Sequence, residues 1–236
     1  MRVDLGISLL ILGAGVTAIG YLILNSIPVF IMGISILIMG ILATWGEDSL
    51  GGVNQELMST AWENVAALIE SVGIVNKAVY LPSSLTQDSR AYALITPAQP
   101  TGLTNIPTGL IVKYGPSPNE VGILVRTMGT RAVELCRESG AISTDLESSL
   151  NNCIVNHLGL ARRVISHVDG DRVRVVINGS RAVNAYGNTV VRAVLGSPMA
   201  SIVASVVAES LNRPVIYDSE GSRGGEYWVE VTLLGT

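Results

Sequence analysis

The chain has 236 residues, 48% of them apolar but only 14% charged, and a formal net charge of -4. Globular proteins carry about 25% charged residues, so the deficit must sit in some particular stretch. A mildly acidic balance lacks the basic face that counterion-release binding needs, which argues against a nucleic-acid partner.

The deficit sits at the N-terminus. Between Asp4 and Glu47 there is no Asp, Glu, Lys, Arg or His. Leu5–Leu24 is a run of twenty uncharged, mostly apolar residues, and Ile27–Trp45 a second of nineteen. At ~1.5 Å per residue each is long enough to cross a hydrocarbon core of ~30 Å. Asn25-Ser26, with Pro28 just beyond, supplies turn chemistry between them. Tyr21 and Trp45 fall near run ends, where amphipathic rings favour an interface. A transmembrane helical hairpin over 1–46 is therefore expected, with the lipid bilayer as its partner. A signal peptide does not fit, because its apolar core is shorter and no second span follows it at once.

Glycines repeat within it. Gly6, Gly13 and Gly20 are seven apart, as are Gly33 and Gly40. In lipid, helices associate where small residues let backbones approach, so these five positions are the expected helix-packing sites. Both termini of a two-span chain lie on one side. Arg2 is the only basic residue near either end, and the positive-inside rule then leans toward a cytoplasmic domain.

Residues 47–52 read as an acidic, glycine-containing linker and 53–236 as a soluble domain. Val53–Val72 has helical periodicity and stops at Gly73. Lys77–Leu81, Ala91–Ile95, Gly109–Tyr114 and Val121–Arg126 are short apolar stretches bounded by Pro, Gly and Ser, the pattern of strands. Thr130–Glu138 is expected to be helical. Thr144-Asp145-Leu146-Glu147 fits a capping box with Thr144 as N-cap, opening a helix that carries Leu150, Cys153, Ile154 and His157 and extends through Arg162-Arg163. Asp169-Gly170 marks a turn, and Arg172–Ile177 alternates as a strand. Gly196-Ser197-Pro198 opens a helix over Met199–Leu211 with Ser197 as N-cap and Pro198 at the first position. Asn212 caps its end. Pro214–Tyr217 is a strand, Glu220–Gly225 a glycine-rich loop, and Tyr227–Leu234 the closing strand. Strands grouped rather than alternating with helices predict an α+β domain with a largely antiparallel sheet.

Several short motifs resemble those of uncharacterised archaeal proteins with two N-terminal spans and a C-terminal domain of unknown function. They are Val79-Tyr80-Leu81-Pro82, Leu158-Gly159-Leu160-Ala161-Arg162-Arg163, Gly196-Ser197-Pro198 and Arg213-Pro214-Val215. That resemblance implies a membrane-attached protein without a known activity. The last third is similar in layout to vinyl-reductase-type small-molecule-binding domains. Those usually carry cysteines near the closing hairpin, and Glu220–Gly225 has none.

No stretch carries a metal, nucleotide or catalytic signature. Cys136 and Cys153 are too few for a disulfide framework and read as small buried apolar residues. Cys153 and His157 have metal-ligand spacing but lack third and fourth ligands, and as a nucleophile pair they lack an orienting acid. His167, expected to share their helix, lies ten residues on. The remaining candidates for ligand or anion contact are the loop Gly221-Ser222-Arg223-Gly224-Gly225, through Ser222 and Arg223, and Arg162-Arg163, which with Arg172 and Arg174 could form a strip for lipid headgroups. No cofactor is expected. The resulting expectation is a membrane-anchored binding or scaffold module working with a protein partner or as a homo-oligomer. The alternatives are a small-ligand sensor with an apolar pocket beside Met199–Leu211, or an enzyme in which Cys153, His157 or Arg223 meets an acid.

Overall fold

A computed structural model describes residues 2–42, 70, 76–98, 100, 102–118, 120–180 and 190–235. The expected linker, most of the expected Val53–Val72 helix and the end of the second apolar run lie outside these residues. The chain divides into two compact units, Met1–Ala61 and Trp62–Thr236.

The first unit holds two apolar helices, α1 (Arg2–Leu22) and α2 (Ile27–Leu42). Asn25 at φ 43° turns the chain between them. Gly6, Gly13, Gly20, Gly33 and Gly40 are all buried in this hairpin. A Cβ on Gly13 would stand 2.6 Å from the Leu37 nitrogen, one on Gly20 2.8 Å from that of Phe30, and one on Gly33 2.5 Å from that of Thr17. One on Gly40 would stand 2.9 Å from the Leu10 nitrogen. No side chain fits at those approaches, so the backbones touch. Tyr21 and Phe30 rings meet at 5.9 Å beside the turn.

The second unit is an α+β domain around an eight-stranded sheet in the order β3-β4-β2-β1-β7-β8-β6-β5. Its strands are β1 (Val79–Leu81), β2 (Tyr92–Ile95), β3 (Ile111–Lys113), β4 (Val121–Val125), β5 (Arg163–Asp169), β6 (Arg172–Asn178), β7 (Val215–Arg223) and β8 (Glu226–Leu233). All pairings between them are antiparallel. One face is covered by α3 (Met128–Glu138), α4 (Leu146–Leu150), α5 (Val190–Leu195) and α6 (Pro198–Leu211). A helix-side core joins Tyr80, Ile95, Val175, Val229 and the apolar side of these helices. Under β1, β2 and β4, the opposite face is sealed by a smaller core of Leu81, Leu94, Leu103, Ile106 and Tyr114. Strands β1 and β2 are thus buried on both sides and read as unbroken apolar runs. The far half of that face, across β7, β8, β6 and β5, alternates valine inward with charge outward and stays open.

α6 is set by its ends. Ser197 Oγ accepts from the Ala200 N–H at 3.2 Å, Pro198 starts the helix, and Asn212 in the left-handed region stops it. Twelve of its fourteen residues are buried, so the flank expected to border an apolar pocket is packed.

Four expectations change. The N-cap of α4 is Asp145, whose carboxylate accepts from the Ser148 N–H at 2.9 Å, one residue later than the capping box suggested. Its helix does not reach Arg162-Arg163. A π-helical stretch, Asn151–His157, follows α4 and ends near Gly159 at φ 63°. His167 therefore lies in β5, where β-branched Val164, Ile165 and Val168 favour extended backbone, and His157 is exposed. The glycine-rich loop is mostly strand: Gly221, Ser222 and Arg223 pair with Trp228, Tyr227 and Glu226. Only Gly224-Gly225, both at positive φ, form the turn, as a two-residue hairpin requires. Finally, Cys136 and Cys153 are not separate thiols. They form a disulfide joining α3 to the π-helical stretch, with Cα atoms 5.4 Å apart and both residues fully buried.

Candidate functional site

Two groups of polar side chains lie on the two sides of β7, and a bulge in that strand arranges them. The register runs Tyr217↔Val231 and then Ser219↔Glu230, so Asp218 is an extra residue. Side chains alternate along a strand, and one inserted residue flips every position beyond it. Ser219 consequently faces the open side, and Glu220 turns toward the helices.

On the helix side Glu220 is only 4% exposed and fully engaged. Its carboxylate accepts from Arg192 Nε at 2.6 Å, from the Ser197 N–H at 3.1 Å and from the Tyr227 hydroxyl. Tyr227 and Ser197 hydroxyls are also 2.7 Å apart. The Ser197 N–H belongs to the N-terminus of α6, where partial positive charge favours an anion. The chain thus supplies its own anion there. The Arg192 guanidinium is held more firmly protonated, chiefly by its hydrogen bond to Glu220. Burial, with Glu220 adding to it, pushes the Tyr227 and Tyr217 phenols far above their ordinary range. Tyr80, whose hydroxyl donates to the Leu195 carbonyl at 2.6 Å, is raised by burial as well. Phenols shifted upward stay neutral at physiological pH, so they donate hydrogen bonds and do not act as bases. This centre fixes the α5–α6 junction; it offers no vacant acid–base pair.

On the open side the bulge leaves a cleft of about 620 Å³ bordered by His167, Arg172, Arg174, Asp218, Glu230 and Thr232. A smaller one of about 300 Å³ adjoins it, sharing Lys77 and Asp218. The Arg174 guanidinium lies 4.9 Å from the Trp228 ring and 3.5 Å from Glu230, whose other oxygen accepts from Ser219 Oγ at 3.0 Å. Trp228 lies flat because Gly221 beneath it has no side chain: a Cβ there would stand 2.6 Å from the ring. Lys77 donates to the Asp218 carbonyl and sits 5.7 Å over Tyr217, and Thr232 donates to the Asp218 carboxylate. The cleft is polar and of mixed charge.

The sequence candidates fall at the end of the sheet. Arg163, Asn178, Glu226 and Arg223 form one cross-strand row, so Arg163 and Arg223 share an end of the open face, with an acidic residue between them. Ser222 lies in the same hairpin tip, exposed. Arg162 donates its N–H to Asn178 and lays its stem across Gly179. Arg172 and Arg174 lie farther along the open face, Arg174 beside Glu230 and Trp228. The β5–β6 hairpin sets Arg172 opposite Asp169, some six residues and ~20 Å from Arg163. Cys153, bonded to Cys136, is unavailable as ligand or nucleophile. Among the described residues no three His, Cys, Asp or Glu side chains converge as a metal site. Glu220 and Trp228 were not among the candidates: the bulge that turns Glu220 toward the helices leaves no local signature, and only the pairing of Gly221 with Trp228 gives that ring its bed.

Fold and site together define an α+β domain with one sheet face closed and the other open over half its width, held by a buried ion pair and a disulfide. The chain belongs to DUF7982, a family of domains of unknown function whose model matches residues 47–233. No curated protein and no solved structure matches it.

Proposed function

We propose that this protein is a membrane-anchored, non-enzymatic binding or scaffold module, its hairpin in the bilayer and its domain presenting the open sheet face. The observation that carries this is the inverted burial of the hairpin. Glycines line its interior, while Ile11, Leu22, Ile23, Ile27 and Met39 are 69–76% exposed. Among the described residues, fifteen of the nineteen exposed large hydrophobic ones fall between Ile7 and Leu42. In water this arrangement would expose the costly groups and bury those with nothing to gain. In lipid it is the expected one, since close backbone packing is what holds such helices together. The resemblance to archaeal proteins with two spans points the same way. By contrast Val190–Leu211, long and apolar enough to span, is mostly buried in the domain and is core.

The buried disulfide favours the oxidising side of that membrane for the domain. It outweighs the cytoplasmic orientation suggested by Arg2 alone. The test of the anchor is alkaline extraction of membranes from cells expressing the full chain. The chain should remain in the pellet, and a version lacking residues 1–46 should leave it. Release of the full chain would overturn the reading. A second reading, a sensor for a small polar ligand, rests on the cleft of about 620 Å³. Native mass spectrometry of the detergent-purified chain, with a mass retained above the polypeptide, would favour it.

A further inference from the structure

We propose that a second copy of this chain pairs with the free edge of β5, in antiparallel register about His167, joining two sheets into one. This names the partner that the scaffold reading leaves open and rests on that reading for its anchor. Strand β5 ends the sheet. Its run Arg163-Val164-Ile165-Ser166-His167-Val168-Asp169 has an unbroken register against β6. It carries no proline, lysine or bulge, three of the devices that blunt an edge; its charges, Arg163 and Asp169, stand at its two ends.

Which groups are free can be read from one side chain. The Asn151 amide donates from Nδ2 to the Val164 carbonyl at 2.9 Å and accepts the Val164 N–H on Oδ1 at 3.2 Å. It thereby imitates a neighbouring strand. The Val164 N–H and C=O must therefore point away from β6. By the alternation of antiparallel ladders, those of Ser166 and Val168 do so too. Among the described residues these four groups have no partner. Val168 is 57% exposed.

A twofold axis at His167 sets Ser166 opposite the second copy's Val168 and Val168 opposite its Ser166. Both are hydrogen-bonded pairs, each exchanging two bonds. All four free groups are then satisfied, and Asn151 keeps Val164. An axis at Ser166 would instead need the Val164 groups that Asn151 holds. The charges agree with the His167 axis: Arg163 lies diagonal to the second copy's Asp169, within reach of a long side chain. Such a strip is smaller than a free-standing interface of ~1,200 Å². Two chains held in one bilayer meet at a raised effective concentration, which compensates for the small area.

The test is thiol cross-linking of the full chain reconstituted in phosphatidylcholine vesicles. The native cysteines are already bonded to each other, so an added cysteine reports alone. In this register two His167→Cys residues face each other in a non-hydrogen-bonded pair with Cα atoms ~4.5 Å apart, within disulfide range. They should cross-link under mild oxidant. Asp169→Cys should not link to itself, because the two copies stand ~13 Å apart, but should link to Ile165→Cys in mixed vesicles. Val168→Pro removes an N–H that the monomer's sheet does not use and should abolish the His167→Cys product while thermal unfolding stays cooperative. A chain that resists alkaline extraction but gives no more product with His167→Cys than with Asp169→Cys overturns the pairing alone. A chain that alkali releases from the vesicles overturns the anchor, and the tethered pair with it.

Discussion

At the scale of the residue, Glu220 gathers Arg192, the Ser197 N–H and the Tyr227 hydroxyl on the helix side of the sheet. It is nearly inaccessible, whereas its partner Arg192 is about one-third exposed. Truncating one partner of a buried pair leaves the other charge uncompensated, and here the two ends differ. Arg192→Leu strands a buried carboxylate and should cost about 3 kcal/mol. Glu220→Gln leaves an arginine that can still reach water and should cost about half as much. Urea denaturation with unchanged m-value checks both, and equal losses would mean that the pair's burial is symmetrical. The phenols give a second prediction. Tyr80, Tyr217 and Tyr227 are raised above the 10.0 of an unfolded tyrosine, mainly by burial. A raised group leaves stability untouched below the unfolded value; above it the unfolded chain releases protons that the folded chain retains. Stability should thus be flat to about pH 9 and fall above about pH 10, by up to ~1.4 kcal/mol per pH unit for each phenol. Tyr227→Phe, measured by denaturation across pH 8–11, should start lower for loss of its bonds to Glu220 and Ser197 but decline less steeply.

At the scale of the element, what was legible in the sequence were features with a local cause. Ser197-Pro198 and Asn212 bracket α6 because capping is decided within four residues. The uncharged runs and their heptad glycines are likewise written along the chain. What escaped depends on distant partners. The apolar spacing through Leu150 and Ile154 extends a helix on paper, but Gly159 in the left-handed region stops it and pairing with β6 claims Arg163–Asp169 as strand. The glycines after Glu220 read as a loop until Tyr227 and Trp228 fold back over them. The two cysteines are seventeen apart with a helix end and a turn between them, and only the packing of α3 on the π-helical stretch brings their sulfurs together. A loop of that size implies about 3 kcal/mol from the cross-link. Oxidised chain, measured by denaturation with and without reductant, should be more stable by roughly that amount, and its intact mass should lack both thiol hydrogens. In the hairpin, Gly33→Val would drive a side chain into the Thr17 backbone. It should part the helices, seen as altered mobility of the chain in detergent gels, whereas Gly15→Ala, with open space around it, should not.

At the scale of the whole molecule, the disulfide and the proposed anchor constrain each other. On the anchoring proposed above, two spans would return the chain to the side it started from and put the domain and Arg2 in one compartment, and the question is which one. One arginine is a weak topological signal, since orientation follows the summed charge of flanking segments. A buried disulfide is a bond that a reducing compartment opposes. Its two cysteines are the only ones in the chain, so it is not a product of shuffling among alternatives. The domain should therefore be reached by protease added outside intact spheroplasts, leaving a membrane-embedded N-terminal fragment, while a cytosolic marker protein in the same cells survives. Alkylation before lysis should leave Cys136 and Cys153 unlabelled until a reductant is added under denaturing conditions. A domain protected from external protease, with both thiols alkylated, would place it in the reducing compartment and return the orientation to the one that Arg2 alone suggested. The exposed sheet face and the free edge of β5 would then look into the cytoplasm, with their geometry unchanged but a different set of neighbours within reach.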